Sequence, residues 1–290
     1  MNIQWFPGHM AKTRKMISEN LKLVDVVIEL ADARIPSSSR NPEINKIVGN
    51  KQKLLVLNKA DMADPAISEK WRSYYNRIGE KNIFVDSISG TNLNLVKKTL
   101  KEMMQPVFER DLSKGRVFRP IRIMVVGIPN VGKSTFINKL SGRAIAQTGD
   151  RPGVTRSKQW VRISGDIELL DTPGVLWPKF DDDATALNLA FTGAIKDEIM
   201  DMEELALKFI EIIINSYAEP FKERYKLSDN IEEKTPLEIL DECALKRGCL
   251  IKGGEIDYSR IAVILLDEFR GCKIGKVTLE SPMENKNEEV

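Results

Sequence analysis

Histidine is nearly absent from this 290-residue chain, and His9 is its only one. Cysteine is scarce as well. Cys243, Cys249 and Cys272 all fall in the C-terminal third, in odd number and without metal-binding spacing. The expectation is reduced thiols in a cytoplasmic protein with no zinc site. No apolar run approaches the roughly 20 residues that span a bilayer. The opening Met1-Asn2-Ile3-Gln4-Trp5 also lacks the basic head and apolar stretch of a secretory signal. Membrane and secreted classes are thus not expected.

What is present suits a packed chain of one large or two medium domains, with 42% hydrophobic residues. The net charge of +2 hides an asymmetry. Residues 1–180 hold 30 Lys/Arg against 17 Asp/Glu, and residues 181–290 hold 14 against 25. The basic residues extend beyond any phosphate loop: Lys12, Arg14 and Lys15 near the start, then Arg143, Arg151, Arg156, Lys158 and Arg162. A front half of this sign points to an anionic partner, with nucleic acid favoured over a merely solvated surface.

The strongest motif is Gly127-Ile128-Pro129-Asn130-Val131-Gly132-Lys133-Ser134. It follows the β-branched run 121–127 and leads into helical spacing from Thr135 to Leu140. Strand, glycine turn and helix form the context of a phosphate-binding loop. Its glycines let the backbone bend around phosphate oxygens, and the amides of Val131, Gly132, Lys133, Ser134 and Thr135 supply positive potential. Lys133 is expected to reach the β- and γ-phosphates, and Ser134 to ligate Mg²⁺.

Asn58-Lys59-Ala60-Asp61 closes another apolar run, Leu54 to Leu57. Paired with a phosphate loop it reads guanine. The Asp61 carboxylate accepts from N1–H and the exocyclic amine, whereas adenine would leave it unpaired. Asn58 and Lys59 brace the loop and cover the base. The next strand delivers Asp86-Ser87, where many GTPases carry a motif whose backbone amide contacts the guanine oxygen; a simple strand-end turn is the competing reading.

Between Lys133 and Asp171 lies Arg151-Pro152-Gly153-Val154-Thr155-Arg156. Thr155 is the candidate switch threonine, sensing γ-phosphate and Mg²⁺. In Asp171-Thr172-Pro173-Gly174, Asp171 would hold the metal through water and the Gly174 amide would touch the γ-phosphate, contacts that vanish on hydrolysis. After Gly174 many GTPases place a glutamine that orients the attacking water. Here Val175 and Leu176 follow. Hydrolysis by the chain alone should be slow unless another group or a partner positions the water. His9, within Trp5-Phe6-Pro7-Gly8-His9-Met10, is one candidate for that role; a structural or RNA contact is the other. Asn130 can offer its side-chain carbonyl to K⁺ beside the β–γ bridge, or can merely brace the loop.

The motif order is unusual. The base reader comes first, the phosphate loop second and Asp171-to-Gly174 third, the order of a circularly permuted GTPase. Alternating strands and helices predict an α/β fold: a doubly wound, mostly parallel sheet with ligand at the strand C-termini. Helices are expected at 11–22, 42–49, 65–79 and 91–104, with residues 105–119 as the loop that the permutation requires. Beyond about 180 the pattern turns helical. Ile199, Met202, Leu205, Phe209, Ile212 and Ile213 mark a helix over 197–216; Thr235-Pro236-Leu237-Glu238 is a capping box; Asp257 caps a helix that Gly271 stops. The domain expectation is 1–178 for the nucleotide-binding part, with a helical lead-in at 1–22, and 179–290 for an all-α part.

These residues carry a family resemblance. The opening Trp5-to-Met10 segment, Asp32-Ala33-Arg34-Ile35-Pro36, the three nucleotide motifs, Arg151-to-Thr155 and Gly275-Lys276-Val277-Thr278-Leu279-Glu280 together resemble the bacterial ribosome-biogenesis GTPase A family over nearly the whole chain. The resemblance implies a GTP-dependent factor acting late in large (50S) ribosomal subunit assembly, with a helical C-terminal domain that helps dock on rRNA. It implies GTP and GDP as ligands, and a hydrophobic residue in place of the catalytic glutamine, as Val175 here. At Asp86 the family more often shows asparagine. A monomer is expected. The alternatives are a GTP-gated RNA-binding scaffold with little hydrolysis, and a translational or tRNA-related GTPase, for which no additional domain is evident.

Overall fold

The computed structural model describes residues 8–117, 119–142, 160–170 and 183–282, with the side chains of residues 8–14, 43 and 45 left aside. The chain divides into two compact units, one of residues 180–279 and one of residues 4–179 rejoined by the tail from Glu280 onward.

In the first half, α1 (Gly8–Leu21) leads into β1 (Val26–Asp32), followed by α2 (Pro42–Val48), β2 (Gln52–Asn58), α3 (Pro65–Arg77), β3 (Asn82–Phe84), α4 (Leu93–Ser113), β4 (Ile121–Gly127) and α5 (Lys133–Ser141). The strands β5 (Trp160–Ser164) and β6 (Ile167–Leu170) complete a six-stranded sheet of order β3-β2-β1-β4-β6-β5. Every described pairing is parallel except β5 with β6. All seven residues of β1 are buried, as a strand covered on both faces requires. Ile17 and Leu21 of α1 and Ile44 and Val48 of α2 pack with Val27, Met124 and Val126. Trp71 and Tyr75 of α3 pack with Leu55, Leu57 and Phe84.

The expected doubly wound sheet is therefore present, with two local differences. Helix α4 runs through Pro106 to Ser113, where a joining loop had been expected from 105. Proline deprives the helix of one bond to the carbonyl four residues back, that of Glu102. Pro106 and Glu102 are both exposed, which puts the break on the solvent side of the helix while buried Met103 and Met104 hold the opposite side. The antiparallel strand β5 had no counterpart among the expected elements.

The second unit contains α6 (Asp183–Phe191), α7 (Met202–Tyr225), α8 (Pro236–Arg247) and α9 (Tyr258–Arg270). Its aromatic centre packs Phe209 edge-to-face on Phe191 and tilted on Phe269, at ring distances of 5.3 and 4.8 Å. The capping box at Thr235 and Glu238 forms as expected, and the Asp257 carboxylate accepts from the Arg260 amide. Helix α7 begins later than expected, and Ile199 is 61% exposed in a short 3₁₀ turn before it. The Asp201 carboxylate accepts from the amides of Glu203 and Glu204 and sets that later start. Cys243 and Cys249 are buried.

Chain direction returns at Glu280. Its carboxylate accepts from the amides of Ser37 (2.6 Å) and Ser38 (2.9 Å) and from the Ser38 hydroxyl. The expected helical part ran over 179–290; Glu280 groups by its contacts with the sheet unit.

Candidate functional site

Strand order decides where a ligand can sit. From β1 the chain steps outward to β2 and β3, then crosses back through α4 to lay β4 on the other side of β1. Beyond the C-terminal ends of β1 and β4 lies the switch point where doubly wound sheets bind ligands. Register places Asp32 beside Asn58 and Leu30 beside Gly127. The end of β1, the base-reading loop and the phosphate loop thus share one rim of the sheet.

At the phosphate loop the glycines are forced by contact. A Cβ on Gly127 would stand 2.7 Å from the Leu30 carbonyl oxygen, and one on Gly132 would stand 2.5 Å from Asn58 Nδ2. Gly132 also adopts φ +88°, and Asn130 φ +61°, so the turn is left-handed at two points. Helix α5 starts at Lys133 with no side-chain cap, and its first internal amide bond runs from Phe136 to the Gly132 carbonyl. The first turn of a helix leaves its amides without acceptors inside the helix, the arrangement that binds anions in general. Ser134 lies half-buried in that first turn.

Asn58 links the two loops. Buried at 2% exposure, it donates from Nδ2 to the Val131 carbonyl at 2.8 Å. Its Oδ1 accepts from the Ser87 hydroxyl at 2.6 Å and the Ser87 amide at 3.2 Å. One side chain thus ties β2, the phosphate loop and the segment after β3. Ala60 donates its amide to the Val85 carbonyl, closing the base-reading loop on the same segment. Asp61, the expected base reader, is exposed.

Asp86 has a more local part than expected. Its carboxylate accepts from the amides of Ile88 (2.7 Å) and Ser89 (3.2 Å). Its slight burial would raise its pKa, but hydrogen bonds to Ser89 and the amides, with Lys139 nearby, hold it below the ordinary range. In this structure, then, the amides after Asp86 serve a turn, and Ser87 is a strut of Asn58.

Sequence reasoning missed one group here. Asp32, at the end of β1, is 2% exposed and carries Arg34 on both oxygens, at 3.0 Å from Nε and 2.8 Å from Nη2. Lys59 Nζ lies 2.8 Å from Asp32 Oδ2 and donates to the Asn130 carbonyl at 2.6 Å. Burial would raise the Asp32 pKa, but the charges of Arg34 and Lys59 prevail and hold it well below the carboxylate range. For Lys59, burial dominates and lowers the ammonium below its ordinary value, with Asp32 opposing. The signal available beforehand was the Asp32-Ala33-Arg34 triplet at a strand end. Thr155, Asp171, Gly174, Val175 and the His9 side chain lie outside the described residues; the His9 backbone falls in the first turn of α1.

Comparison with known proteins now bears on this geometry. Residues 122–240 match the model of the family described as 50S ribosome-binding GTPase. Ribosome biogenesis GTPase A of Bacillus pumilus is 48% identical over 282 residues, 97% of this chain and 99% of that protein. The chain belongs to the ribosome biogenesis GTPase A family. The Thermotoga maritima protein of that name is 30% identical over 97% of this chain and 95% of its own length. Among solved structures, GDP-bound TM YlqF superimposes with a TM-score of 0.70 at 27% identity, covering 93% of this chain and all of that one. GNP-bound YlqF from T. maritima gives 0.66 at 26% identity, covering 94% and 100%. Membership makes the chain a GTP-hydrolysing enzyme. No helix among the described residues is long and apolar enough to cross a membrane.

Proposed function

We propose that this GTPase binds the assembling large ribosomal subunit when loaded with GTP and promotes a late maturation step. The observation that carries the proposal is the extent of the relationship: 97% of the chain aligns with ribosome biogenesis GTPase A, so the helical unit is shared along with the nucleotide unit. A basic first half suits rRNA, whereas the acidic balance of the helical unit argues against a general RNA-binding patch there and leaves only local groups such as Lys246, Arg247 and Lys252 for phosphate contact. We place the reaction in the cytoplasm and the active form as a monomer.

In this reading Asp61 selects guanine, Asn58, Lys59, Ala60 and Ser87 shape the base side, and the amides from Val131 to Thr135 hold the phosphates with Lys133. Mg²⁺ fits the donor set: the Ser134 hydroxyl, half-buried in the first turn of α5 directly after the left-handed turn at Gly132. Ser134 would hold the ion with Thr155 and with Asp171 through water. When bound, it would neutralise the β- and γ-phosphate oxygens. The Gly174 amide reads the γ-phosphate. With Val175 in the glutamine position, the protein alone turns over slowly and the particle stimulates it.

Particle capture tests the proposal. The GTP-analogue form should sediment with large-subunit precursors and the GDP form should not; equal affinity of the two forms would overturn it. Turnover with and without particles separates it from a GTP-gated scaffold. His9→Ala addresses the water-positioner: a loss of roughly 10²–10⁴ in stimulated turnover with GTP binding intact assigns it. Retained turnover with weaker particle binding makes His9 a docking residue. For K⁺ at Asn130, hydrolysis in KCl and NaCl at matched ionic strength decides, and equal rates remove the ion from the mechanism.

A further inference from the structure

The Asp32 carboxylate does more than neutralise Arg34. Arg34 already engages both of its oxygens, and the Arg34 amide adds a third bond at 3.0 Å to Oδ1. Those bonds suffice to satisfy a buried carboxylate at a strand end. Yet Oδ2 also takes Lys59 Nζ at 2.8 Å, and that ammonium spans to the Asn130 carbonyl at 2.6 Å. Two left-handed residues face each other across this bridge. Lys59 has φ +61° and Asn130 has φ +61°, and neither is glycine. Non-glycine residues hold such backbone angles only where their surroundings over-determine them.

Topology explains why the anchor sits on β1. This strand pairs with β2 on one side and β4 on the other, so its end is the fixed point between the base-reading and phosphate loops. Asn58 connects the same loops from β2, through Val131. The Asp32–Lys59–Asn130 chain is a second, charged connection, one residue later in the base-reading loop and one residue earlier in the phosphate loop.

We propose that Asp32 is a positioning residue of the nucleotide site: it holds Lys59 against the phosphate loop and so sets the spacing between the guanine and phosphate ends. Asp32 touches no nucleotide; it acts through Lys59. The connection spans the base-reading and phosphate loops without involving a γ-phosphate contact of its own, so GDP and GTP should depend on it equally. The inference rests on the guanine-nucleotide site and is independent of the ribosomal role.

The test uses the full chain and a fluorescent GDP. Wild-type protein must bind it; failure would overturn the nucleotide reading and this inference with it. Asp32→Asn should weaken GDP and a non-hydrolysable GTP analogue by the same factor, roughly tenfold, the equivalent of about 1.4 kcal/mol. In a Lys59→Met background, Asp32→Asn should cause no further loss of affinity, whereas a purely structural role predicts additive losses. Should Asp32→Asn fail to fold, the double variant Asp32→Ala/Arg34→Met removes the buried charges together and spares the fold an unpaired guanidinium. It should also lose GDP affinity about tenfold. Unchanged affinity in either soluble variant, a loss confined to the GTP analogue, or additivity with Lys59→Met would overturn the proposal.

Discussion

The indole Nε1 of Trp71 donates to the main-chain oxygen of Glu280 at 2.9 Å, across 209 residues of sequence. Together with the Glu280 carboxylate on the Ser37 and Ser38 amides, it fastens the tail to the loop that follows Arg34. Truncating the carboxylate leaves those amides without their charged acceptor, at a cost of about 1–3 kcal/mol. Glu280→Ala should therefore lower the thermal midpoint of the sheet unit. Trp71→Phe, which removes one neutral donor, should cost about 0.5–1.5 kcal/mol. Equal midpoints for wild type and Glu280→Ala in calorimetry would show that the tail contact is dispensable.

Gly132→Ala meets two obstacles, the approach of 2.5 Å to Asn58 Nδ2 and the backbone at φ +88°. Moving Asn58 also disturbs its bonds to Val131 and Ser87. The expected outcome is a loss of about 1–3 kcal/mol in stability and far weaker nucleotide binding, read by denaturation and by equilibrium titration. Wild-type GDP affinity in the variant would mean that the loops separate without consequence.

Asp61, the expected base reader, stands exposed. Asp61→Asn should weaken GTP and favour xanthosine triphosphate, because xanthine presents a carbonyl where guanine presents an amine. Discrimination of about tenfold or more is expected from such a buried hydrogen-bond mismatch. Competition assays with unlabelled nucleotides measure it, and a variant that still prefers GTP refutes the assignment.

Glu268 in α9 pairs with Arg224 at 2.6 Å and Arg247 at 2.8 Å. Burial would raise its pKa, but these partners prevail and depress it. A depressed carboxylate contributes stability that is complete above the unfolded value of roughly 4.3 and is lost as pH falls through the folded one. Glu268→Gln should accordingly be less stable than wild type at pH 7, with the gap closing below about pH 4. Urea denaturation at several pH values checks this; a gap independent of pH would exclude the ionic contribution.

Legibility in the sequence followed the range of the interactions. The strand, glycine turn and helix from Ile121 to Leu140 could be read directly, because backbone angle, burial period and glycine placement are local. The caps at Thr235 and Asp257 were legible for the same reason. The stop expected at Pro106 was not, because the break falls on the solvent side of the helix. Ile199 fits the apolar period of α7, yet the Asp201 cap begins the helix after it. Strand β5 pairs with its neighbour through the turn at Gly165, and its short alternation from Trp160 to Ile163 is a weak signal. In the site, the bracing part of Asn58 was readable from its motif. The parts of Asp32, Ser87 and Glu280 arise from contacts 27 to 243 residues apart, which leave no periodicity to read.

The order in which the strands are laid down also has a consequence for synthesis. Residues 26–84 supply β1, β2 and β3 before any of β4 exists. As the chain is made from its N-terminus, the guanine-reading half is complete while the flank of β1 that awaits β4 still exposes unpaired backbone. Nothing grips phosphate until residues near 141 have emerged. The nascent protein therefore passes through an interval with an open apolar edge and no nucleotide to stabilise it. Arrival of β4 closes that edge and brings the expected phosphate loop beside the base-reading loop, with Thr155, Asp171 and Gly174 still to follow.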